Sequence, residues 1–68
     1  MIDLDQNAAH SERVYTALAR AYPAEVESLP CLIAHALTDL RHLADQHDLS
    51  FATRDRVAHM QYLAETGA

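Results

Sequence analysis

The chain has 68 residues, half of them hydrophobic, with one Gly, two Pro and a formal net charge of −5. That length holds one domain, residues 1–68, and excludes a two-lobed enzyme or a Rossmann unit with a separate substrate domain; the apolar content excludes disorder by composition. Ten acids against five Arg and no Lys argue against nucleic-acid binding through a generally basic surface.

The single Cys excludes an internal disulfide and a Cys-rich zinc site. A free thiol, an acidic start without a signal-peptide n-region and no long apolar run make the cytoplasm the expected compartment, with no membrane partner. Size sets an energetic limit. A chain this short buries roughly 60% of its unfolded surface. Apolar burial then yields ~100 kcal/mol, and ordering the chain costs about as much. Such a domain needs closely packed helices, a staple or a partner chain.

The first helix is predicted over residues 5–21. Asp3, Asp5 or Asn7 can cap it, and Leu4 can serve as a hydrophobic staple. Val14, Tyr15, Ala17, Leu18 and Ala21 share one broad face. Pro23 ends this helix, because it disfavours a helical Tyr22 and has no N–H to donate. Residues 24–28 form a short helical turn. Ser28 or Leu29 caps the second helix, residues 30–46, with Pro30 in its first turn. Leu32, Ile33, Ala36, Leu37, Leu40, Leu43 and Ala44 form its apolar stripe, so it is the expected central helix.

Ser50 is a good N-cap for a third helix over residues 51–65, with Gly67 as the stop. Its apolar residues are spread around most of its girth. Phe51, Ala58 and Tyr62 lie on one side, and Val57, Met60 and Ala64 on another. A helix of that kind is covered on more than one side. No segment alternates with period two long enough to make a strand. The predicted fold class is all-α: a small bundle of three main helices, with a short extra helical turn between the first and second. The expected core is Val14, Leu18, Leu32, Ile33, Leu37, Leu40, Leu43 and Val57.

Residues with chemistry to offer are few. Cys31, His35, Asp39 and His42 lie along the polar face of the second helix. Their i, i+4 spacings allow chelation of one metal ion, completed by His10, His47 or His59. The alternative, which is preferred, is a solvated face with His–Asp pairs and no metal or other cofactor. No HExxH pattern is present. A Cys31–His35 nucleophile pair would need an oxyanion hole and a cleft that a chain this short scarcely builds, so the protein is expected not to be an enzyme. Arg54 and Arg56 open the third helix, as in a DNA-reading helix. However, Asp45, Asp48 and Asp55 offset them, and no Gly-containing turn joins the second and third helices.

The stretch Ala36-Leu37-Thr38-Asp39-Leu40-Arg41-His42-Leu43-Ala44, followed by Leu49-Ser50-Phe51, Ala58-His59 and Tyr62-Leu63, resembles a segment of short uncharacterised proteins of GC-rich bacteria, their phages and mobile elements. Met60-Gln61 separates His59 from Tyr62, a departure from that pattern. The resemblance implies no catalytic activity. It implies an accessory role on a mobile element, such as a small acidic inhibitor of host defence of the anti-CRISPR kind.

The functional expectation is therefore a small acidic, non-enzymatic protein-interaction module, an inhibitor or adaptor acting on a nucleic-acid-handling machine. Asp39, Asp45, Asp48 and Asp55 are the expected carboxylates against a partner with a basic surface. A homodimer is expected, with Phe51, Met60, Tyr62 and Leu63 divided between core and interface. A metal-binding helical protein or a small DNA-binding regulator is the alternative.

Overall fold

The computed structural model describes residues 4–67. Among them the order is α1 (Leu4–Ala21), a 3-10 turn (Pro23–Glu25), α2 (Leu29–Gln46) and α3 (Phe51–Thr66), with no strand. The all-α expectation therefore holds, including the extra helical turn between the first two helices.

Local chemistry accounts for the boundaries. Tyr22 leaves α1 at φ −130°, ψ 64°, out of the helical region that a following proline disfavours. Ser50 caps α3, its hydroxyl accepting from the Thr53 N–H at 3.2 Å. Gly67 ends α3 at φ 75°, its N–H donating to the Leu63 carbonyl. At Ser28 the side chain makes no capping bond; Pro30 in the first turn leaves one fewer N–H to satisfy. The end of α2 is a Schellman motif. The Leu49 N–H donates to the Ala44 carbonyl at 2.9 Å and the Asp48 N–H to that of Asp45 at 3.3 Å. Asp48 occupies the left-handed position at φ 55°, where glycine is the usual residue and Asp is tolerated.

The start of α1 differs from expectation. Asp5 and Asn7 lie inside the helix and are not its caps. The Asn7 amide instead donates to the Glu65 carbonyl at 3.1 Å, tying the start of α1 to the end of α3. The cap offered by Asp3 and the staple offered by Leu4 fall outside the described residues and side chains.

The three helices form a flattened layer measuring 36 × 31 × 16 Å. Its thinnest dimension is about half of either other. The Cα radius of gyration is 13.6 Å, against about 11 Å for a compact chain of this length. The expected core does not form. Among the described residues only Leu32 and Ala44 are buried, and Leu18 is half-buried. Val14, Ile33, Leu37, Leu40, Leu43 and Val57 are 45–56% exposed. The stripe on α2 explains this. Leu32 near its amino end shares a groove with Val14 and Leu18 of α1; Ala44 near its carboxyl end shares one with Phe51 and Ala58 of α3. These two positions lie about 120° apart around the helix. The neighbours thus cover α2 at opposite ends and from different sides, leaving the middle of the stripe open.

Two outcomes test this account. Leu32→Ala, at the one fully buried large side chain described, should cost ~2–5 kcal/mol, and Leu40→Ala distinctly less in dilute solution. Asp48→Gly should raise the denaturation midpoint by an amount worth ~1 kcal/mol, by relieving a left-handed non-glycine residue. Urea titrations followed by circular dichroism measure all three.

Candidate functional site

Two features stand out, a polar strap at the α1–α2 corner and an open apolar face along α2. The strap begins where Pro23 turns the chain. The Tyr22 ring stacks on His35, with centroids 5.0 Å apart and planes inclined by 26°. Its hydroxyl donates to Asp39 Oδ2 at 2.5 Å. His35 Nδ1 lies 2.5 Å from Glu25 Oε1; a carboxylate can only accept, so the proton sits on Nδ1. His35 and Asp39 are one turn apart on the same face of α2, so the strap grips two successive turns. Among the described residues the other Glu25 oxygen, Oε2, is covered and lacks a hydrogen-bond partner. The phenol of Tyr22 is held above its ordinary value, chiefly because its proton is bonded to Asp39, then by some desolvation and by the negative charges of Asp39 and Glu25.

The strap separates the residues considered as metal ligands. His35 is turned to Glu25 and Asp39 to Tyr22, while Cys31 and His42 are exposed. No three His, Cys, Asp or Glu side chains gather to hold an ion among the described residues. His10 sits elsewhere, accepting at Nδ1 from Arg13 at 2.7 Å and facing Glu65 at 3.7 Å. No hydrogen bond joins Cys31 to His35 among the described residues.

The acidic residues are likewise divided. Asp45 and Asp48 share the Schellman corner. Asp39 is engaged by Tyr22, two turns back and about 120° around α2 from Asp45. Asp55 stands beside Arg54 on the rim of the α2–α3 groove. Arg54 and Arg56 are about 200° apart around α3, so they leave the helix on opposite sides.

The apolar face is the larger feature. Leu29, Ile33, Leu37, Leu40 and Leu43 are 45–56% exposed along α2. On one side, α1 and α2 enclose an open groove of about 460 Å³, lined by Val14, Tyr15, Leu18, Leu29, Leu32 and Ile33 among others. On the other, α2 and α3 enclose one of about 330 Å³, where Leu37, Leu40, Leu43 and Ala44 face Leu49, Phe51 and Ala58. Of the residues expected at a self-association surface, Met60 and Tyr62 are exposed at 65% and 61%. Leu63 is half-buried, as is Phe51, which lies under the Arg41 guanidinium at 4.4 Å. The open row on α2 was hidden from sequence reading because its spacing is also that of a covered core. The Tyr22–Asp39 and Glu25–His35 pairs cross a proline turn, so no helical spacing announces them.

No family model matches the chain, and no curated protein or solved structure resembles it. No described helix is long and apolar enough to cross a membrane.

The raised Tyr22 value fixes a sign. A group whose folded value lies above its unfolded value, near 10 for tyrosine, stabilises the fold fully below about pH 10 and loses that contribution as pH rises through the folded value. Ultraviolet titration should therefore show one of the three tyrosines ionising above the others. Tyr22→Phe should remove that component, and Asp39→Asn should move it back toward the ordinary range.

Proposed function

We propose that this chain is a non-enzymatic protein-interaction module that completes its hydrophobic core against another chain and presents an acidic corner to a partner with a basic surface. The observation that carries the reading is the exposed apolar row of α2 with its two grooves. A compact monomer of this mass exposes about 4,300 Å²; this one exposes 5709 Å². Soluble monomers rarely leave large contiguous apolar patches open, and such patches commonly mark binding surfaces. The groove linings offer almost entirely packing surface, with Glu12, Arg54 and Asp55 on them.

The acidic corner gives the module direction. Asp45 and Asp48 sit together at the α2–α3 turn, and both are exposed. Carboxylates so placed steer a basic partner and speed encounter, while apolar contacts slow release. A role as an inhibitor or adaptor of a nucleic-acid-handling machine, encoded by a mobile element, is consistent with this division and with the resemblance across residues 36–63.

Two measurements test the reading. The melting temperature should rise with protein concentration, because folding is linked to association; a concentration-independent melt of a well-folded monomer contradicts it. Replacing Asp45 and Asp48 together by Asn should weaken low-salt binding to a polyarginine peptide more than replacing Glu12 and Glu27 by Gln. The fold should survive, since Asn also tolerates the left-handed position of residue 48. Equal effects of the two pairs would remove the acidic corner from the account.

A further inference from the structure

We infer that the occupant of the open α2 face is a second copy of this chain, docked about a two-fold axis that passes beside Leu37 and Leu40. This rests on the reading that the module completes its core against another chain, and it names that chain and the surface used.

Three observations favour a copy over a different protein. The first is area. The exposed surface of 5709 Å² exceeds that of a compact monomer of this mass by about 1,400 Å². If each of two copies removes that excess, the interface totals about 2,800 Å², above the standard size of about 1,600 Å² and within the range of obligate homodimers.

The second is charge. Each chain carries −5, so two copies repel unless they meet over an uncharged surface. The open row supplies one, because Leu29, Ile33, Leu37, Leu40 and Leu43 run along α2 with no ionisable residue between them on that face. From residue 29 to residue 43 the row is about 21 Å long at 1.5 Å per residue, enough for two helices to cross ridge into groove.

The third is self-complementarity. A two-fold interface uses the same patch on both subunits, so the patch must complement itself. The rim of the α2–α3 groove carries Arg54 next to Asp55. Neither has an ion-pair partner among the described residues. A two-fold arrangement beside Leu37 and Leu40, which line the same groove, offers the Arg54 of each copy an oppositely charged Asp55 on the other as a partner. On α3 the exposed large apolar residues are Val57, Met60 and Tyr62, and Tyr62 opens instead onto a separate cleft of about 340 Å³ against α1, with Asn7, His10 and Val14.

Sedimentation equilibrium of the full chain, with circular dichroism at each concentration, tests the inference. The native chain should be a folded dimer. Leu37→Glu should weaken association by at least about 100-fold, as loss of a central interface anchor does, whereas Met60→Glu should leave the dimer intact. Arg54→Asp and Asp55→Arg should each weaken association, and the two together should restore it; these exposed rim positions keep the readout separate from folding. A dimer that survives Leu37→Glu but dissociates with Met60→Glu overturns the α2 docking while leaving the interaction-module reading in place. So does a native chain that stays unfolded at every concentration, whose occupant is then a different protein. A native chain that is a folded monomer throughout overturns that reading as well.

Discussion

The constraint on which the rest of this structure depends is the missing second layer. Domains are stable when one layer of secondary structure packs its apolar side against another. Here α1 and α3 touch α2 near its two ends and from different sides, and the middle of its stripe stays in solvent. Burial of Leu32 and Ala44 is a small return for ordering three helices, given that each ordered residue costs roughly 1.5 kcal/mol.

Polar contacts hold the layer's shape where packing does not. The Tyr22–Asp39 and Glu25–His35 bonds fasten the proline turn to two successive turns of α2. The Asn7 amide on the Glu65 carbonyl joins the chain's two outer helices. The Schellman corner, with Leu49 seated near Ala44 in the groove, sets the exit from α2. Exposed hydrogen bonds and ion pairs contribute little net stability. Their contribution is to link elements that share little buried surface: the proline turn to α2, α1 to α3, and the exit of α2 to α3.

The two kinds of surface differ in character. The apolar row provides area but no discrimination by charge. The corner at Asp45 and Asp48 provides charge but little area. The side chains with chemistry to offer, Cys31, His35, Asp39 and His42, are not gathered in either place; two of them are spent on the strap.

The sequence by itself determined the elements. Pro23 and Pro30, Ser50 and Gly67 mark boundaries because each has a fixed local consequence for backbone angles or hydrogen bonding, and the helices begin and end beside them. It also determined which face of α2 is apolar, through the 3.6-residue period. It did not determine whether that face is covered. Periodicity records the side a helix turns away from water when its partners are present, and it reads the same whether those partners are in the same chain or another. Leu32 and Leu40 sit on one stripe and look alike in sequence; one is 0% exposed and the other 49%. Only the tertiary structure separates them, because which part of the stripe is covered depends on where α1 and α3 pack along α2, and the contacts that join the elements, Tyr22–Asp39, Glu25–His35 and Asn7–Glu65, link residues far apart in the chain, which no local pattern encodes.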